Sequence, residues 1–572
     1  MVKFLIGLVS GVVLVFLTIG ILFFALLRLR ERPPVIASNS VLVLHLEGSV
    51  PEKAPVEIPF FLSQPVLTVT DVWMMLRNAA ADSRIKALVL EPEGLSAGWA
   101  KLEELRGDVA QFRKSGKPVY AYLHTPGARE YYVATAADRL YLGPEDPLML
   151  KGLRAEIMYF KKTLDKLGVT VYVDHAGKYK DFGDQFTRSD MSPETRQVIT
   201  SLVDDLYGNL VDRIASGRKK TAEQVRALMD QGPFLATEAE KSGLVDELRF
   251  EDQMWGELQS KLKVGDLRKL SAESYLRVPA QAVGLAGKSR VALVVGEGDI
   301  IRGDPDNPAT DENSLSSSSF DKLLEQVAGD SSIRAVIVRI DSPGGEVTAS
   351  DDIWRQMNLL SKKKPMIISM SDVAASGGYY MALTGDPIVA YPGTETGSIG
   401  VVFGKPDLHG LYDKLGITKD AVQRGRNADI DSDYTSLTPE QQQKLRQGID
   451  ASYVDFVSKV AQARHHSFDQ IEAVAQGRVW LGSQAKPHGL VDELGGLDTA
   501  IALVKKRANI PASEGVTLVT YPPRRSILDL LVRRTQEDML ASKLGRILDG
   551  MPVQAWLQGG FLRMMPYCVT VR

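Results

Sequence analysis

The chain has 572 residues, 44% of them apolar, and its charges nearly cancel, with 68 basic and 71 acidic side chains. That length allows several domains with sizeable cores, and nothing in the charge argues for a nucleic-acid partner. One cysteine, Cys568, excludes an intrachain disulfide and any Cys-x-x-Cys metal centre; none of the seven histidines forms His-Glu-x-x-His, so neither a metal nor another cofactor is expected.

Residues 4–27 carry no charge. At about 1.5 Å per residue such a helix crosses a hydrocarbon core of about 30 Å, so the stretch is expected to be a transmembrane anchor. It is longer than the apolar part of a cleavable signal peptide and is followed by Leu27-Arg28-Leu29-Arg30 rather than a small-x-small site. The flanking charges, Lys3 before and Arg28, Arg30 and Arg32 after, taken alone put the C-terminal flank in the cytoplasm. Residues 28–39, with Pro33-Pro34, read as a linker.

Beyond the linker the chain repeats itself. Asp82–Leu90 matches Asp330–Val338, Tyr131-Tyr132 matches Tyr379-Tyr380, and Asp165–Thr170 matches Asp413–Thr418, each pair 248 positions apart; Gly243–Leu248 recurs unchanged as Gly489–Leu494. A shared register over so long a span marks a tandem duplication, with copies at 40–285 and 286–510 and a tail at 511–572. Each copy alternates β-branched runs with amphipathic segments. In the second, strands are expected over 290–295 and 335–340 and helices over 319–328 and 350–361, which is an α/β fold with mostly parallel, buried strands.

The copies differ where chemistry is possible. In the second, the apolar run Met366–Met370 leads to Ala374-Ala375-Ser376-Gly377-Gly378-Tyr379, a serine at a strand-to-helix turn beside two residues without Cβ. A serine so placed can attack a carbonyl while a neighbouring N–H holds the developing oxyanion. Asp341-Ser342-Pro343-Gly344-Gly345 ends an earlier strand and can supply a second N–H. The first copy has Ala128-Arg129-Glu130 and Glu93-Gly94-Leu95-Ser96-Ala97 at these places. No histidine of the second copy stands in a triad order, which leaves lysine, usable only if burial depresses a pKa near 10.4. Gly177-Lys178-Tyr179-Lys180-Asp181 of the first copy faces Gly425-Arg426-Asn427-Ala428-Asp429 of the second. One copy thus holds a lysine without a serine and the other a serine without that lysine. The pairing suggested is Lys180 with Ser376, with Lys178 the less favoured candidate; whether the two meet within one chain or between chains is open.

These motifs, with Gly397-Ser398-Ile399-Gly400-Val401 and Asp190-Met191-Ser192-Pro193-Glu194, resemble the long, duplicated form of peptidase family S49, the signal peptide peptidase A family, over nearly the whole chain. The resemblance implies two ClpP/crotonase-like domains behind a membrane anchor. It implies Ser376 as nucleophile, Lys180 as general base, Gly345 and Gly377 as oxyanion donors and Ser398 as the residue that orients the lysine. It also implies a homotetramer in the bacterial cytoplasmic membrane, with catalytic domains outside the cytoplasm despite the arginines after the span, digesting remnant signal peptides. A crotonase-like acyl-CoA hydratase or hydrolase would use a similar oxyanion hole, and an inert membrane scaffold is the non-enzymatic reading. The tail is expected to hold an amphipathic helix over 526–548 and a strand within 559–572.

Overall fold

A computed structural model describes residues 34–55, 66–303, 314–524, 561–565 and 570–571, together with Gly11, Leu14, Val15 and Thr18. The expected anchor over 4–27 lies, apart from those four helical residues, outside the described residues, as does the helix expected over 526–548. No helix among the described residues is long and apolar enough to cross a membrane.

The two copies build the same parallel sheet. In the first, strands run side by side in the order Glu247–Leu248, Arg139–Leu142, Val119–Leu123, Ile85–Leu95, Ser40–Gly48 and Arg268–Ser271. The second repeats this path as Glu493–Leu494, Ile388–Ala390, Met366–Ala375, Ile333–Ser342, Ser289–Glu297 and Val516–Tyr521. The last of these lies in the stretch expected to be tail; it completes the second sheet by pairing with Ser289–Glu297. Runs such as Val41-Leu42-Val43-Leu44 and Ala335-Val336-Ile337-Val338 are nearly continuous in Val, Ile and Leu because helices cover both faces. The helices Ser317–Gly329 and Val347–Ser361 fall where periodicity put them, each a few residues longer at its N-terminus. Duplication extends to side-chain detail: the Tyr131 hydroxyl donates to the Leu244 carbonyl at 2.5 Å, and its counterpart Tyr379 to that of Leu490 at 2.9 Å.

The copies are joined by buried charge. Arg339, inside the apolar strand Ile333–Ser342, is fully buried. Its guanidinium donates to Glu52 Oε1 from Nη2 (2.8 Å) and Nε (3.1 Å), and to the hydroxyls of Ser369 (3.0 Å) and Ser371 (3.2 Å), with Glu104 Oε2 at 3.3 Å. Both glutamates belong to the first copy. Burial pushes the Glu52 carboxyl up, but Arg339 and Lys101 outweigh it and hold the group below its usual range. Next to this cluster, Lys101 Nζ reaches Asp341 Oδ2 at 2.7 Å, and the Asp372 carboxylate accepts the backbone N–H groups of Gly98 (2.9 Å) and Lys101 (2.8 Å). Asp341 and Asp372 flank the Pro-Gly-Gly turn and the serine strand, so the same contacts that dock the copies set the spacing of the site.

A third sheet crosses the boundary between copies. Its order is Ser314–Ser316, Asp299–Ile301, Gly344–Glu346, Phe561–Met564, Val401–Asp407 and Thr170–Ala176. The last strand comes from the first copy and lies antiparallel on Val401–Asp407 of the second, with Ala176 opposite Val401. The strand expected in the tail is present, as Phe561–Met564 and Thr570–Val571, and the first piece is inserted in the middle of this sheet.

Candidate active site

Ser376 follows the buried strand Met366–Ala375 and caps the short helix Gly377–Met381. Its backbone, at φ 54° and ψ −114°, is in a region that side chains avoid. Such a conformation costs about 1–3 kcal/mol and persists only when its surroundings hold it. Here the Ser376 N–H donates to the Gly397 carbonyl and the Tyr380 N–H to that of Ser376, both at 2.8 Å. A Cβ at Gly377 would stand 2.5 Å from Ser350 Oγ, and one at Gly378 would stand 2.4 Å from the Ser342 carbonyl oxygen. Both glycines are therefore required by packing as much as by the turn.

The Ser342–Gly345 turn closes over the same spot. Gly344 has φ +107°, and a Cβ there would lie 2.7 Å from Gly377 N and 2.0 Å from the Arg563 carbonyl oxygen. The Gly377 N–H and the Arg563 carbonyl thus border the one space that a methyl at Gly344 would fill. Gly345 lies directly opposite Arg563 in the antiparallel pair. The Met565 N–H donates to the Pro343 carbonyl at 2.9 Å. Hydrogen-bonding pairs alternate along an antiparallel ladder, so Gly345 and Arg563, two positions along, form the next such pair.

Lys180 reaches this place from the other copy. After the strand Thr170–Ala176 the chain turns at Gly177, and the Tyr179 N–H donates to the Gln476 carbonyl at 2.8 Å. A Cβ at Gly477, which has φ +75°, would be 2.6 Å from Lys180 Cβ, so only glycine lets the lysine seat. Lys180 is fully buried. Its Nζ is 2.8 Å from Ser376 Oγ, 2.8 Å from Ser398 Oγ and 2.9 Å from the Ser398 carbonyl oxygen. Lys178 is exposed, with its ammonium over the Tyr179 ring. The juxtaposition of Lys180 and Ser376 occurs within one chain.

Burial drives the Lys180 amine well below the ordinary lysine value; Asp181 opposes the shift and the Arg563 guanidinium adds to it. The opposition from Asp181 is weakened because burial pushes that carboxyl up to about 7, even though it accepts the Thr195 hydroxyl. In the first copy Glu130 stands at the position of Gly378, and its carboxylate accepts the backbone N–H groups of Leu95 (2.6 Å) and Gly127 (2.9 Å), the counterparts of Pro343 and Ala375.

Sequence reasoning passed over Gly477 and Arg563. In the register of Gly243 and Gly489, 246 positions apart, Gly477 falls opposite Gln231, so no aligned glycine drew attention to it. No pattern in the tail pointed to Arg563, because its place depends on strand pairing across some two hundred residues.

A serine protease carried on a duplicated α/β frame is the class that this fold and its relatives define. The chain is 35% identical over 504 residues to the "Serine protease SPPA, chloroplastic" of Arabidopsis thaliana, covering 87% of this chain and 73% of that protein. It is 32% identical over 460 residues to "Protease 4" of Haemophilus influenzae, covering 77% and 73%. Among solved structures it is similar to ClpP1 from Listeria monocytogenes over 36% of this chain and 91% of that one, at 18% identity and TM-score 0.22. The model described as peptidase family S49 matches residues 111–265 and 358–511, one stretch in each copy. The chain belongs to peptidase family S49.

Proposed function

We propose that this serine protease is a membrane-anchored endopeptidase with a Ser–Lys dyad, which degrades released signal peptides and other unfolded apolar chains outside the cytoplasm. The observation that carries the dyad is the buried 2.8 Å contact between Lys180 Nζ and Ser376 Oγ. A neutral amine has two N–H groups and one lone pair. The two oxygens of Ser398 accept the N–H groups, which leaves the lone pair for the Ser376 O–H. Lys180 takes that proton as Ser376 Oγ attacks the scissile carbonyl. The N–H groups of Gly377 and Gly345 hold the oxyanion, and the protonated Lys180 returns the proton to the leaving amine. Lys180 then activates the water that hydrolyses the acyl-enzyme.

Treating the purified full-length enzyme with a fluorophosphonate tests this reading. Wild type is expected to be labelled on Ser376, and Ser376→Ala to be neither labelled nor active; labelling elsewhere with activity retained would refute the assignment. The base must be unprotonated, so kcat/KM is expected to rise with pH through one ionisation well below 10.5 and then level off. An acid limb at the ordinary lysine value would show that Lys180 is not the base. Ser398→Ala is expected to lower kcat on the order of 10²-fold with KM little changed, the usual penalty for a mis-aimed catalytic group.

The anchor and the orientation rest on residues 4–27 and on the family resemblance. The tetramer has support in the repeat itself. Within the chain, Thr170–Ala176 of the first copy pairs with Val401–Asp407 of the second. The equivalents of those strands, near 418–424 and 153–159, are not paired with each other among the described residues; Ala155–Glu156 pairs instead with Thr570–Val571. Leu415, Val422 and Met158 there are 64%, 88% and 72% exposed. Joining the two segments between neighbouring chains would repeat the internal contact head to tail, the kind of contact that gives a ring when its rotation closes. A mass of four chains by light scattering in detergent is the expected result.

A further inference from the structure

The strand Phe561–Met564 lies in the groove that leads to Ser376, and it is bound there as an extended peptide is bound by a sheet edge. It pairs antiparallel with Gly344–Glu346 on one side and with Val401–Asp407 on the other. Main-chain pairing of this kind is sequence-tolerant, and alternate side chains then fall into pockets that discriminate. Leu562 and Met564 pack with Phe182 and Val402 on one face. Phe561 and Arg563 point to the other, toward the helix Pro439–Arg464: the Phe561 ring abuts Gly448, and Arg563 reaches Asp455 and Phe456. The residue whose carbonyl lies beside Gly377 N is Arg563. In a bound substrate that is the residue on the acyl side of the scissile bond.

The pocket around this side chain has the chemistry of a cation site. Arg563 is 1% exposed. Its guanidinium carbon stands 3.6 Å from the centre of the Tyr380 ring and 5.1 Å from that of Phe456, and its Nη2 is 3.4 Å from Asp455 Oδ2. Nε and Nη1 make no hydrogen bond among the described residues, so the ring faces supply much of what holds the charge. Asp351 and Asp455 share one resident cation, Lys459, which is 2.8 Å and 3.1 Å from them. Two carboxylates against one ammonium leave one negative charge for an incoming cation. A wholly apolar pocket would not place a carboxylate at its end.

We propose that this pocket, walled by Tyr380 and Phe456 and ended by Asp455, selects a cationic side chain, so that the enzyme cuts on the carboxyl side of arginine, and that the strand Phe561–Met564 holds the groove as a substrate would. The proposal rests on the Ser–Lys reading and names the substrate class of that same site. It also agrees with the proposed substrates, since signal peptides carry their positive charge next to the apolar run.

The test compares internally quenched peptides that contain Phe-Leu-Arg-Met, Phe-Leu-Leu-Met or Phe-Leu-Glu-Met, cut by the full-length enzyme in detergent. The arginine peptide is expected to be cleaved after Arg with kcat/KM on the order of ten-fold above the leucine peptide, and the glutamate peptide to be cut least. Asp455→Asn should move the Arg-to-Leu ratio toward leucine by a similar factor, and Asp455→Glu should restore it. Arg563→Glu, which keeps the strand but loses its fit, should lower KM for the arginine peptide. Equal or better cleavage of the leucine peptide, or a ratio unmoved by Asp455→Asn, would overturn the proposal. A raised KM in Arg563→Glu would do so for the strand. Fluorophosphonate labelling separates the two levels: a labelled enzyme that prefers leucine refutes only the subsite, whereas an unlabelled one that cuts no peptide refutes the dyad.

Discussion

Lys180→Met is expected to give a folded protein whose peptidase turnover has dropped on the order of 10²- to 10⁴-fold, the scale of a lost general base. Lys180 is fully buried, and methionine fills nearly the same volume without an amine to desolvate. Its thermal midpoint should therefore match or exceed that of wild type. Lys180→Arg sharpens the test. It keeps a cation at the position but cannot release its proton near neutral pH, so it should be as inactive as the methionine variant. Turnover within ten-fold of wild type in either protein, measured on a peptide that wild type cleaves, would remove Lys180 from the mechanism. The pH profile adds a readout that damage to the fold alone would not produce.

Arg339→Ala is expected to be the most destabilising single change near the boundary between copies. It leaves Glu52 without the guanidinium that it meets at 2.8 Å, buried away from bulk solvent. Breaking a buried ion pair by removing one partner costs about 3–5 kcal/mol, mostly through the charge left behind. A lower urea midpoint is expected, with loss of activity at denaturant concentrations that wild type tolerates, because the strand that carries Arg339 also carries the Asp341–Gly345 turn. Arg339→Met combined with Glu52→Gln and Glu104→Gln should recover much of the loss, since replacing the arginine together with both of its carboxylate partners avoids an orphaned charge. If Arg339→Ala alone unfolds at the wild-type midpoint, the ionic cluster is not what joins the copies.

The duplicated register was readable because strands buried on both faces tolerate little besides Val, Ile, Leu and Ala, and because the Gly-Leu-Val-Asp-Glu-Leu turn closes the same tyrosine contact in each copy. The mismatch between copies at Ser376 and Lys180 was readable for the same reason: a shared register makes a missing residue visible. The strand Val516–Tyr521 and the insertion of Phe561–Met564 were not, since six or four apolar-alternating residues do not name the edge they pair with. Nor was Gly477, whose importance comes from a backbone contact with Lys180 across the boundary between copies.

The amino-acid sequence by itself determined that two related α/β units stand in tandem, that one carries the serine and the other the lysine, and that glycines flank the serine; these are local properties of residue type and spacing. Only the tertiary structure decided that the two side chains meet inside a single chain, that Ser398 offers both its oxygens to the amine, and that Arg563 lies in the groove beside them. Those outcomes depend on which strand edges join, and hydrogen bonds between edges are made by backbone groups that every residue shares, so the side-chain pattern carries no record of the choice.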